Sequence, residues 1–278
     1  IHKITWAFVK KFGYHIIEGE GISHQVIAER FLKPGMIVTH HDGHACLFGA
    51  LCAALFPLSA GIIEPLAMES LYLTCPPTVR VNFHGALSKG VAARDVQMWM
   101  LQQIGPSGAM NACVEMGGDG FASLTMDDRF TICNMAIEAG GKNGIFPVDE
   151  QTKEYMKEHS QKEYTVYEAD ADVEYEAEYT IDLSEVRPTV AFPHLPGNAH
   201  TIDEVEAGEK IYIDQVVIGS CTNGRMSDLR KAAKILKGHK VNENVRVMVI
   251  PATQQIFLDC IKEGLAEIFV ESGCAFNT

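Results

Sequence analysis

The sequence predicts an α/β protein, and three observations carry that prediction. Short β-branched runs alternate with helix-periodic stretches along the chain. A strand–helix–strand unit fills 211–250, which implies parallel strands with helices packed on them. With 278 residues, 47% hydrophobic and 21% charged, the chain can bury a sizeable core without disulfides or a structural metal.

Taken in order, Ser23 is a candidate N-cap for a helix that carries His24. Residues 36–39, Met-Ile-Val-Thr, read as a buried strand, followed by the polar turn His40-His41-Asp42-Gly43-His44. The next stretch, 45–63, carries no charge and approaches the ~20 residues of a membrane span. Gly49, Pro57 and Gly61 interrupt it and no Lys or Arg flanks it closely, so a buried core helix is expected. Pro76-Pro77 stops any helix and marks a boundary. A strand is expected at 78–83, a helix at 92–103 from the spacing of Val96, Trp99 and Met100, and a strand at 110–116. Residues 126–139 read as one helix, with Asp127 and Asp128 at the end the macrodipole favours.

From Glu168 to Glu178 every even position is acidic, and the odd positions are small or apolar. Period two predicts a strand over 168–179 whose acidic face is either a solvated edge or a cation-binding one. Pro193 and Pro196 place a linker at 187–198. Beyond it the pattern predicts strand 211–218, helix 226–236, strand 245–250, helix 254–262 and strand 267–270. The expected division is a first region to 77, a middle region 78–187 and a third βαβ region 188–278.

A net charge of −13 without a basic patch argues against nucleic acid as a partner. The eight cysteines form no CxxC pair, which reads as reduced thiols in a cytoplasmic compartment. No membrane association is expected.

Polar turns after strands are where α/β sheets place ligands. Gly219-Ser220-Cys221-Thr222-Asn223-Gly224-Arg225 follows one strand and precedes a helix. A thiol there lies near free N–H groups that favour the thiolate, so Cys221 is a nucleophile, a metal ligand or a buried thiol. The 40–44 turn offers three imidazoles and a carboxylate for Zn²⁺ or Fe, for acid–base work, or only for hydrogen bonds within the turn. Asn134 and Glu138, four residues apart, would share one helix face amid apolar neighbours.

Three stretches together resemble the aconitase family. They are 217–225 (Val-Ile-Gly-Ser-Cys-Thr-Asn-Gly-Arg), 19–27 (Gly-Glu-Gly-Ile-Ser-His-Gln-Val-Ile) and 126–135 (Met-Asp-Asp-Arg-Phe-Thr-Ile-Cys-Asn-Met). The resemblance implies three-layer α/β/α domains around a central cleft and a hydro-lyase with a [4Fe–4S] cluster. Its expected substrate is a 2- or 3-hydroxy di- or tricarboxylic acid such as isopropylmalate. Its expected partner is a small subunit carrying the swivelling domain, which brings the catalytic serine. On this sequence the resemblance makes Cys221 a cluster ligand. It places His24, Asp42 and His44 at polar active-site positions, and makes Glu138 the helix carboxylate near the reacting water. Asn134, Ser220, Asn223 and Arg225 would support the cluster or the substrate. Two further cluster cysteines are expected beyond Thr278, so this chain alone is not expected to complete the site. Gly43 stands where the family has Ser, and 59–63 replace a Gly-Ser-Thr-Asp run. Two other readings stay open. One is a metal-dependent hydrolase using His24, His40, His41, Asp42 and His44. The other is a non-catalytic scaffold that kept the fold and lost the cluster.

Overall fold

The computed structural model describes residues 2–58, 70–159 and 163–277. Helix α1 (His2–Phe12) buries none of its residues, whereas α2 (Ser23–Arg30) buries His24, Gln25, Val26 and Ala28. Strands β1 (Ile37–His40) and β2 (Ala54–Pro57) pair in parallel. Between them runs not an α-helix but a 3₁₀ helix, Gly43–Leu51. The single helix expected over 45–63 is therefore corrected to a 3₁₀ helix and a strand. Cys52 turns left-handed at φ 54° and ends the helix, and 59–63 lie outside the described residues. Residues 45–51 are all buried. Leu47, Phe48 and Leu51 each contribute about 1.5–3 kcal/mol of apolar transfer.

A four-stranded parallel sheet follows, built of β3 (Thr78–His84), β4 (Cys113–Gly117), β5 (Asn143–Ile145) and β6 (Ala177–Asp182) in the order β5-β4-β3-β6. Val79, Val81 and Phe83 alternate into the core, as period two requires. Helix α3 (Ala93–Ile104) matches the expected 92–103 helix within a residue. The expected strand at 110–116 begins only at Cys113, because Asn111 is left-handed at φ 60° and 109–112 form turns. Helix α4 (Met126–Asn134) starts on a capping box in which Thr125 and Asp128 satisfy each other's N–H groups. It tightens at Met135 into a 3₁₀ turn, Met135–Ala139, so the expected 126–139 helix is two elements. Helix α5 (Glu150–His159) lies beyond β5.

The acidic strand is corrected too. Pairing with β3 begins only at Ala177, opposite Val79, and Glu168–Glu174 are exposed and irregular before it. What is strand is an edge, with Glu178 and Asp182 facing solvent. The expected linker 187–198 contains a strand. There β7 (Thr189–Ala191) pairs antiparallel with β8 (Ala199–Thr201), ahead of the short helix α6 (Ile202–Glu206). The hairpin is tied to α3, since Asp95 accepts from the Thr189 N–H at 2.8 Å and Gln102 donates to the Ala199 carbonyl at 2.5 Å.

The last unit is a three-stranded parallel sheet in the order β11-β10-β9, with β9 (Gln215–Gly219), β10 (Arg246–Ile250) and β11 (Ala275–Phe276). The short helix α7 (Ser220–Asn223) follows β9, then α8 (Met226–Leu236), and α9 (Gln254–Lys262) and α10 (Leu265–Glu271) lie between β10 and β11. Residues 267–270 are thus helix, not strand. A short apolar run without alternation suits either, and burial of Leu265 and Phe269 four apart selects the helix.

Buried apolar residues fall in two large clusters among the described residues. One joins Ala28 to Val186, across the Pro76-Pro77 boundary, and the other spans Leu229 to Cys274. The fold class is α/β with parallel sheets, as the sequence predicts. Among the described residues no helix is long and apolar enough to cross a membrane.

Candidate active site

The two clusters meet where the loop before α2 and the turn after β10 are pinned together. Gly21 bridges Thr253, and the Ile22 N–H donates to the Ala252 carbonyl at 2.9 Å. A Cβ on Gly21, at φ 124°, would lie 2.6 Å from the Thr253 Cα, so only glycine allows this approach. The Gly219 position is equally exclusive. Its φ is 116°, and a Cβ would stand 2.0 Å from the Ile250 carbonyl oxygen. Ser220 follows at φ 68°, so the backbone is bent sharply just before Cys221.

His24 enters on the first turn of α2. Ser23 is not the N-cap: Ile22 holds that position without a side-chain bond, and the Ser23 hydroxyl instead meets His40 Nε2 at 3.0 Å. His24 is 2% exposed, and both its ring nitrogens lack a hydrogen-bond partner. Burial lowers its pKa to about 4 against the opposing pull of Asp42, so the ring is neutral at pH 7. The nearest acid is Asp42, whose Oδ2 lies 4.0 Å from His24 Nδ1.

Asp42 caps the 3₁₀ helix, and its Oδ1 accepts from the His44 N–H at 2.8 Å. Its pKa is lowered. Burial alone would raise it, but the His44 N–H and the His24, His44 and His40 rings outweigh that. His44 stands between two carboxylates, with Nδ1 3.4 Å from Asp42 and Nε2 3.5 Å from Glu138. Asp42, His44 and Glu138 therefore form a half-exposed acid–imidazole–acid row beside a buried neutral imidazole.

Asn134 and Glu138 do not share a face. The switch to 3₁₀ geometry carries a residue four positions on through about 120° rather than about 40°. Asn134 is fully buried while Glu138 reaches the half-exposed His44. Asn134 is the link between motifs. Its Nδ2 donates to the His44 carbonyl at 3.2 Å, and its Oδ1 accepts from the Thr222 hydroxyl at 2.8 Å. Thr222 in turn neighbours Cys221, whose half-buried Sγ makes a 3.9 Å contact with the Thr222 hydroxyl.

Asn223 and Arg225, from the same motif, hold the turn. Asn223 donates to Thr131 at 3.3 Å and Asp228 at 3.2 Å. Arg225 is 4% exposed. It donates to Gln25, to the carbonyls of Cys221, Asp127 and Thr222, and to the Thr131 hydroxyl. Sequence reasoning missed Thr131, which accepts from both Asn223 and Arg225 and joins α4 to the turn. Its place three residues before Asn134, on the same face, was the available signal.

Among the described residues no three His, Cys, Asp or Glu side chains converge to hold a metal ion. His41 is turned away, its Nδ1 toward the Leu58 carbonyl at 3.2 Å. The five-residue ligand set of the hydrolase reading does not assemble. Of the other thiols, burial pushes Cys46 and Cys113 up to about 12 and Cys260 up to about 11, which makes them core residues rather than ligands.

The profile of the aconitase family (aconitate hydratase) matches residues 2–278, and the chain belongs to that family. Among its relatives is the 3-isopropylmalate dehydratase large subunit of Clostridium kluyveri, 52% identical over 267 residues, which are 95% of this chain and 63% of the relative. The same subunit of Caldicellulosiruptor saccharolyticus is 47% identical, over 99% of this chain and 65% of the relative. The 2,3-dimethylmalate dehydratase large subunit of Eubacterium barkeri is also 47% identical, over 95% and 63%. The chain thus spans a little under two thirds of the length of these relatives. In fold it resembles the holo form of Thermococcus kodakaraensis aconitase X, with a TM-score of 0.53 at 13% identity, over 97% of this chain and 62% of that one.

Proposed function

We propose that the chain is the cluster-bearing part of a hydro-lyase large subunit that removes water from an alkyl-substituted malate and re-adds it at the neighbouring carbon. Relatives named for 3-isopropylmalate and 2,3-dimethylmalate, two malates differing in their alkyl groups, support this substrate class. The reading includes a [4Fe–4S] cluster, a cytoplasmic setting and a small subunit carrying the swivelling domain. It divides the chain at 77 and 187, with one apolar cluster shared by the first two regions.

One observation carries the reading. Residues 24, 42–44, 134–138 and 219–222, far apart in sequence, are connected into one constellation through Asn134. Its donors fit the cofactor: Cys221 is a thiol outside both apolar clusters, and His24 offers two buried nitrogens without partners. Cys221 would hold the cluster, which when bound supplies an open iron acting as a Lewis acid on hydroxyl and carboxylate. The chain's own residues handle the protons. His44, between Asp42 and Glu138, can take a proton at one ring nitrogen while giving one from the other. Neutral His24 offers one donor and one acceptor to substrate or water.

The test is iron and acid-labile sulfide per chain in anaerobically purified full-length protein, beside Cys221→Ser. About four irons, lost in the variant, are expected. No iron in either protein overturns the reading and favours the scaffold.

A further inference from the structure

We propose that His40 is a positioning residue for His24 and Asp42, holding the two elements that carry them in one arrangement. Three contacts support it. The His40 Nδ1 accepts the Asp42 backbone N–H at 2.9 Å. The same ring's Nε2 meets the Ser23 hydroxyl at 3.0 Å, one residue before His24. The ring itself packs edge-on to His24, with centroids 5.7 Å apart and planes at 88°. Phe48 packs against the ring edge-on as well, at 6.1 Å.

These contacts fix the chemistry of the ring. A neutral imidazole that accepts at Nδ1 carries its proton on Nε2. His40 therefore donates to the Ser23 oxygen and cannot deprotonate that hydroxyl, so the pair is not a nucleophile and its base. It is a two-ended brace. One end sets the N-terminus of α2, and with it the His24 ring. The other sets the turn whose Asp42 side chain lies 4.0 Å from His24 and 3.4 Å from His44. His24 has no hydrogen bond of its own to orient it. Its geometry depends on packing, and His40 is the polar group that ties that packing to the turn.

The inference rests on the hydro-lyase reading for its activity readout only. In the full-length enzyme with its small subunit, His40→Phe keeps the edge contacts and removes both hydrogen bonds. It is expected to lower kcat about 10- to 100-fold by misplacing the proton-handling groups. KM should change by less than about twofold, since no substrate contact is removed. His40→Gln, which keeps a donor for Ser23, is expected to recover most of the loss. Long-range ¹H–¹⁵N spectra should show His40 bare at Nδ1 and protonated at Nε2, and His24 ring signals displaced in His40→Phe. Turnover unchanged in His40→Phe overturns the proposal. So does His40→Gln as impaired as His40→Phe with the same loss of melting temperature, or the opposite His40 tautomer. If the wild-type enzyme dehydrates no substituted malate, the functional reading fails by itself. The His24 signals then decide: displaced supports the brace, unmoved overturns it. Should His40→Phe not fold, Ser23→Ala removes one end of the brace and is read by the same signals.

Discussion

Two buried arginines, one on α4 and one reaching it from the turn after β9, are held in opposite ways. Arg129 lies wholly inside the larger cluster at 0% exposure. Its guanidinium grips Asp149 with two bonds of 2.8 and 2.6 Å, bonds the Leu124 carbonyl and Thr152, and lies over the Phe121 and Phe146 rings. Arg225 lies at the seam between the clusters. It stacks on Phe130, but it is spread over four carbonyl or hydroxyl oxygens and an amide, and its Nε is left without a hydrogen bond 3.2 Å from Asp127. His24, on the same seam, has no partner at either nitrogen. Inside the lobe a buried charge is matched to one acid, and the match fixes the fold. At the seam the two His24 nitrogens stay without partners, which costs stability and leaves hydrogen-bonding capacity for a ligand, whereas inside the lobe one amide oxygen each of Gln97 and Asn143 is left without a partner.

The contrast can be broken at its strong end first. Arg129→Met leaves Asp149 half-buried without its cation and is expected to cost about 3–5 kcal/mol in urea unfolding. A cost under about 1 kcal/mol would mean the pair stabilises no more than a surface one. Next in size is the acid limb of stability. His24 has a folded pKa near 4 against an ordinary 6.5, so the unfolded chain binds its proton first as pH falls. Its contribution is intact above pH 6.5 and is lost between there and about pH 4, by about 3 kcal/mol in all. His24→Gln should flatten that limb in unfolding curves across the range, and an unaltered slope would place the loss elsewhere. The smallest stability effect belongs to Arg225→Lys, about 1–2 kcal/mol, because several weak bonds are lost rather than one matched pair. Its expected signature is functional: iron content and turnover fall further than the melting temperature. Stability lost as in Arg129→Met with activity intact would erase the distinction between lobe and seam.

Much of the fold was legible because it is written in local bonds. The strand at 78–83, the helix start marked by Asp127 and Asp128, and the 226–236 and 254–262 helices depend on residues within a few positions of each other. The errors fall where local signals are ambiguous. Residues 45–63 and 267–270 lack a decisive period, and the acidic alternation at 168–176 pairs with no strand among the described residues. In the site, the 40–44 turn and the Gly219–Arg225 turn could be named from composition and resemblance. The burial of Arg225 and the separation of Asn134 from Glu138 could not.

By itself, the sequence determined the alternation that makes a parallel α/β protein, the two glycines its sharp approaches demand, and the residue types able to handle protons and hold a cluster. The tertiary structure alone decided which of those residues meet. Asn134 finds its partners 90 residues before it, at His44, and 88 after it, at Thr222. No short-range pattern encodes such a contact, because it exists only once both apolar clusters have closed and brought their edges together. The same closure removes His24 from water without giving it a partner, turning an ordinary imidazole into a neutral, unoccupied pair of hydrogen-bonding atoms.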